Sequence, residues 1–86
     1  MYYVYILQSE KDRKLYIGQT NNVEERLKMH NLGRVTATRN RKPFELLGYK
    51  EFGTRKEAME TEKYLKKLKG GNEFKKILNR WGIEKR

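Results

Sequence analysis

The chain has 86 residues and carries 21 Lys and Arg against 11 Asp and Glu, a formal charge of +10. With no cysteine and a single histidine, it excludes a disulfide framework, a thiolate zinc site, a thiol nucleophile and a multi-histidine metal centre. No apolar run approaches the roughly 20 residues of a membrane span and no signal-peptide pattern opens the sequence, so a cytoplasmic chain without a membrane partner is expected, and the charge points to a polyanion, nucleic acid first.

A chain of this length holds one modest core, which predicts a single domain over residues 1–86. Tyr2 to Gln8 is nearly all aromatic or branched apolar, as suits a strand buried on both faces. A second strand is predicted from Leu15 to Gln19. An antiparallel pairing centred between Glu10 and Lys11 would set Tyr5 opposite Tyr16, on one face with Cβ atoms roughly 5 Å apart. A slip of one residue would send the two hydroxyls to opposite faces. Gly18, at the end of the second strand, reads either as a tight exit or as a point of close backbone approach to a phosphate.

Asn22 followed by Glu25 has capping-box spacing and predicts a helix from Val23 to about His30, closed by Gly33 at C′. On a helical wheel Arg26, His30, Val23 and Leu27 share an arc of roughly 100°, so the polar pair borders the buried stripe. Residues 33 to 43 read as a loop whose Arg34, Arg39, Arg41 and Lys42 form a nucleic-acid-facing belt or, more plainly, a solvated face. Phe44 to Phe52 reads as a third strand with a bulge at Gly48. Thr54 and Glu57 open a helix with Ala58, Thr61, Leu65 and Leu68 inward, Glu62 at the edge of that face and Lys63, Lys66, Lys67 and Lys69 outside. Gly70-Gly71 breaks it, Asn72 is read as the N-cap of a last helix, and Phe74, Ile77, Leu78 and Trp81 give that helix its core stripe, with Asn79 projecting away. The prediction is a small α/β (α+β) protein of order β-β-α-β-α-α, a three-stranded antiparallel sheet flanked by three helices.

In chain order the chemistry-bearing residues are Tyr5, Tyr16-Ile17-Gly18, Arg26 and His30 four apart, then Glu62. The series resembles the GIY-YIG nuclease family over nearly the whole chain, in particular its short single-domain members akin to the nuclease subunit of bacterial excision repair. The second triplet is intact; the first reads Val4-Tyr5-Ile6, with Tyr5 supplying the tyrosine. The resemblance implies hydrolysis of a DNA phosphodiester with one divalent metal, Mg or Mn, held by Glu62. It further implies Tyr5 and Tyr16 as the tyrosine pair, Arg26 as phosphate clamp and His30 as the helix histidine. The family's late asparagine corresponds to Asn72 or Asn79.

The chemistry fits those residue types. Arginine presents a planar fork matched to phosphate oxygens. One carboxylate suits Mg²⁺, which keeps several waters and takes other ligands from substrate phosphate. A tyrosine base needs its pKa of ~10 brought toward neutrality, about 4 kcal/mol of differential stabilisation, with Arg26 and added positive charge pushing that way and His30 available to take the proton. Plain readings stand beside these: His30 set near a helix C-terminus by the macrodipole, and Glu62 paired with Lys66. Two other functions are weighed with the nuclease, which is itself expected to be a monomer: a non-catalytic nucleic-acid-binding module on the same scaffold, and an interaction protein such as a subunit docking on a repair or ribosomal partner. The length leaves no room for a specificity domain, so cleavage would be structure-selective, loosely specific or partner-directed, on DNA with RNA left open.

Overall fold

In the computed structural model, which describes residues 1–83, the elements follow the expected order β-β-α-β-α-α. Strands β1 (Tyr2–Ser9), β2 (Leu15–Thr20) and β3 (Phe44–Phe52) form one antiparallel sheet in the order β2-β1-β3. The helices are α1 (Val23–Asn31), α2 (Arg55–Leu68) and α3 (Asn72–Arg80). The fold is α+β.

The composition of β1 explains why it lies in the middle. Its alternate side chains enter two different cores. Val4 and Ile6 pack with Ile17, Ala58, Leu65, Phe74 and Leu78 on the α2–α3 side. Tyr5 and Leu7 pack with Phe44, Tyr16, Val23 and Leu27 on the α1 side. Burying a large apolar side chain contributes about 1.5–3 kcal/mol, whereas the whole strand-propensity scale spans ~1 kcal/mol. Two-sided burial, not propensity, therefore fixes β1 at the centre.

The register departs from the sequence reading. Tyr5 pairs with Gly18, and Tyr16 with Leu7. The turn is centred further along the chain because the loop side chains wind it: Ser9 Oγ accepts from the Lys11 and Asp12 amides at 3.1 and 3.2 Å, Asp12 Oδ1 accepts from the Lys14 amide at 2.9 Å, and Arg13 takes a φ of 63°. The displacement moves each partner by two residues, so the face is preserved and the tyrosines become diagonal neighbours, ring centroids 6.3 Å apart.

Helix α1 begins as expected, Asn22 Oδ1 accepting from the Glu25 amide at 3.0 Å, although the Asn22 amide goes to Thr20 Oγ1 and not to Glu25. It ends in a Schellman arrangement: Gly33, at φ 75°, donates to His30 O, and Arg34 donates to Met29 O. The following loop contains a 3₁₀ turn at Arg39–Arg41. Asn31 fastens this end to the sheet, its side chain donating to Phe44 O and accepting from the Phe44 amide at 2.6 Å. The predicted bulge lies in β3, where the pairing shifts between Ile6–Gly48 and Leu7–Leu46. Gly71, with the extended backbone of a cap, and not Asn72, is the N-cap of α3; Asn72 is the first helical residue, and glycine has no side chain to make a cap bond. Trp81 meets the Phe52 ring edge-on at 6.3 Å and is core, as its spacing predicts.

Candidate active site

Four elements deliver the sequence-selected residues to one place. β1 contributes Tyr5, β2 contributes Tyr16 and Gly18, α1 contributes Arg26 and His30, and the Glu62–Lys66 edge of α2 reaches round to Tyr16. Gly18 lies under the Tyr5 ring: a Cβ there would fall 2.5 Å from Tyr5 Cζ, so only glycine lets the ring lie flat. Close approach of a buried ring, not of a phosphate, is what the motif glycine provides in the free protein.

Tyr5 is 1% exposed, and its hydroxyl lies 2.9 Å from His30 Nε2. His30 lies inside the core, fully buried, with its ring centroid 5.0 Å from that of Tyr16 and 5.8 Å from that of Phe44. It was expected only to border the apolar stripe; the loop after α1 folds over it and covers it with Thr38. Thr38 Oγ1 lies 2.7 Å from His30 Nδ1 and 3.5 Å from Val35 O. Burial, with Arg26 adding to it, pushes the His30 pKa down to about 4, so the imidazole is neutral at pH 7 and has one donor and one acceptor nitrogen. In the tautomer in which Nδ1–H donates to Thr38 Oγ1, Nε2 accepts the Tyr5 hydroxyl proton.

Burial also pushes the Tyr5 phenol up to about 12, against the downward pull of an Arg26 hydrogen bond and charge, with Tyr16 and Glu62 adding to the rise. The expectation that Arg26 would bring this tyrosine toward neutrality is corrected: desolvation outweighs the guanidinium. The result is a chain, Tyr5 to His30 to Thr38, closed to bulk water at its inner end, with the Arg26 charge acting on Tyr5 at its outer end.

The depressed histidine carries a stability consequence. An unfolded histidine takes up a proton near pH 6.5, the folded one only near 4, so between these values the unfolded chain holds the extra proton. Stability is therefore expected to fall as pH drops from about 6.5 to 4, by up to about 3 kcal/mol from this group. Urea unfolding at pH 7 and pH 4.5, together with the NMR titration of the His30 ring, measures it; a ring titrating at its ordinary value would refute it.

Beside the chain, Tyr2, Gln19, Thr20, Asn21, Arg26 and Arg55 line a polar cleft of 340 Å³. The Nε of Arg26 is buried and has no hydrogen-bond partner. Arg55 occupies the first position of α2, where the helix dipole repels a cation unless an anion is nearby. Both features suit a phosphate. Sequence reading missed Arg55 because it lies within the Thr54–Glu57 capping signal, and missed Thr38 because nothing in a polar loop eight residues past the histidine marks it.

Glu62 has a side chain 18% exposed and pairs with Lys66 Nζ at 3.2 Å, while that ammonium also lies 5.9 Å over the Tyr16 ring. Among the described residues no three His, Asp or Glu side chains group to hold a metal. A divalent ion here would have Glu62 as a lone protein ligand, and that fits an ion completing its shell from water and substrate phosphate. Of the other sequence-selected residues, Asn79 lines a separate cavity with Leu15, Phe74 and Leu78, members of the α2–α3 core, and Asn72 is exposed. Arg34, Arg39 and Lys42 are exposed, but Arg41 is held by Asp12 at 2.9 Å and lies over the Phe44 ring at 5.6 Å, a structural role. Among the described residues no helix is long and apolar enough to cross a membrane.

Comparison with known proteins agrees with this arrangement. The GIY-YIG catalytic domain matches residues 1–76. A UPF0213 protein of Oceanobacillus iheyensis is 48% identical over 68 residues, 78% of each chain. One of Bacillus licheniformis is 46% identical over 77 residues, 88% of this chain and 78% of that one. The solution NMR structure of a UPF0213 protein from Bacillus halodurans superimposes with a TM-score of 0.59 at 34% identity, over 95% of this chain and 88% of the other. The family match spans both tyrosine strands, α1 with its arginine and histidine, and α2 with its glutamate, and by it the chain belongs to the GIY-YIG family.

Proposed function

We propose that this chain is a divalent-metal-dependent endonuclease that hydrolyses DNA phosphodiester bonds, acting as a single domain in the cytoplasm. The observation that carries the reading is the unpartnered Arg26 Nε beside the buried Tyr5–His30 chain. A guanidinium with an unpartnered donor next to a hydroxyl that is already wired to a neutral imidazole suits holding a phosphate and moving a proton.

Arg26 would clamp the scissile phosphate and stabilise its developing charge. Tyr5 need not ionise in advance: it takes a proton from the attacking water as it hands its own to His30 Nε2, so no free tyrosinate is required. Tyr16, packed against the same imidazole, orients it. Glu62 would hold the metal, and GIY-YIG nucleases generally use one; when bound, Mg²⁺ or Mn²⁺ would supply positive charge to the phosphate and make water more acidic. Exposed Arg34, Arg39 and Lys42 would follow the flanking backbone.

The second reading, a non-catalytic nucleic-acid-binding module, draws on Glu62 being already neutralised by Lys66. One experiment separates them: labelled duplex, nicked, forked and single-stranded DNA, plus an RNA arm, with Mg²⁺, Mn²⁺ or chelator, comparing wild type with Tyr5→Phe. Metal-dependent products that vanish in Tyr5→Phe, with the variant's circular dichroism unchanged, are expected. Salt-sensitive binding without products under any metal would establish the binding module instead.

A further inference from the structure

The α1-facing side of the sheet carries one aromatic pair that neither the core nor the proton chain uses. Tyr49 is paired directly with Tyr5 across the β1–β3 ladder, yet it is 52% exposed. Tyr3 lies two residues before Tyr5 on the same strand and therefore on the same face. The two rings meet edge to face, centroids 5.5 Å apart and planes at 82°. They wall a cleft of 410 Å³ floored by Val23, Leu27 and Leu46, within the range of small-ligand sites. Asn21 lines both this cleft and the arginine cleft of Arg26 and Arg55, so the two adjoin at this residue.

We propose that the Tyr3–Tyr49 groove is a base-binding subsite: it stacks an unpaired nucleobase of the strand whose phosphate lies in the Arg26–Arg55 cleft. This inference rests on the nuclease reading for its substrate, and deepens it by naming where an unpaired base goes. Charge orients the nucleotide. The arginines mark the phosphate end, while Glu24 in the lining of the aromatic groove repels phosphate and leaves the apolar floor to a base. An exposed ring face accepts any base, so the subsite reads single-strandedness and not sequence.

The test is binding in chelator, where cleavage plays no part. Fluorescent oligothymidylate is compared with an abasic strand of equal length and charge and with a paired duplex, for wild type, Tyr49→Ala and Tyr49→Phe. Wild type is expected to bind oligothymidylate more tightly than its abasic twin. Tyr49→Ala should weaken oligothymidylate binding by roughly 5- to 150-fold, leave abasic and duplex binding unchanged, and Tyr49→Phe should restore the preference. Equal wild-type affinity for the thymidylate and abasic strands overturns the subsite even if the protein cuts DNA. Uniform weakening of all three ligands by Tyr49→Ala overturns it too, as does binding to none, which would hand the groove to a protein partner. Base-dependent binding without cleavage would leave the subsite standing while the nuclease reading fell.

Discussion

Replacing Glu62 with alanine is expected to abolish metal-dependent cleavage, by on the order of 10³-fold or more, while DNA affinity stays the same or rises slightly. The asymmetry follows from its surroundings. Glu62 is partly exposed on a helix and, among the described residues, pairs with Lys66, four residues on. Such pairs contribute roughly 0.3–0.5 kcal/mol, and alanine is the better helix former, so the variant should fold normally. Removing the carboxylate also frees the Lys66 ammonium and takes a negative charge away from the phosphate path, which favours binding. A metal ligand should therefore lose turnover without losing affinity, whereas a merely structural glutamate would lose neither. Glu62→Gln, which keeps the shape without the charge, should behave like alanine. Cleavage kinetics and a fluorescence binding curve on the same DNA decide it, and undiminished cleavage would remove Glu62 as ligand.

The parts of this molecule that the sequence displays are those governed by local pattern. β1 was legible because Val4, Tyr5, Ile6 and Leu7 leave no polar face. α3 was legible because Phe74, Ile77, Leu78 and Trp81 recur at helical spacing, and the helix ends because Gly33 and Gly82 take φ values of 75° and 74°. Tyrosine, arginine, histidine and glutamate could be picked out by order alone. What stayed hidden depends on contacts between distant segments. The β1–β2 register was set by Ser9, Asp12 and Gln8 side chains hydrogen-bonding to loop backbone, none of which alters hydropathy. Thr38 reaches His30 only after the loop has folded back. Arg41 looked like its cationic neighbours until Asp12 and Phe44 engaged it. The direction of the Tyr5 shift was misjudged because burial, a property of the folded whole, outweighs a named neighbour.

Gly18→Ala is expected to destabilise the protein by about 3 kcal/mol or more, lowering its Tm by roughly 12 °C or more. The sign makes this informative. Gly18 does not have a positive φ, and at such a position adding a methyl group ordinarily stabilises by ~0.4–1 kcal/mol, since the unfolded chain loses freedom. Here the new Cβ would lie 2.5 Å from Tyr5 Cζ and 2.9 Å from Cε1. Tyr5 cannot swing aside, because its ring is buried between Leu7, Phe44 and Tyr16 and its hydroxyl is held by His30. The collision must therefore displace either β2 or the phenol. A double-mutant cycle identifies the cause. In a Tyr5→Leu background, where no ring covers residue 18, the same alanine should cost little or become stabilising, a coupling well above the few tenths expected of independent sites. In a Tyr5→Phe background the ring remains and so should the penalty. Equal penalties in all three backgrounds would mean that Gly18 is required by its own strand and not by the tyrosine above it.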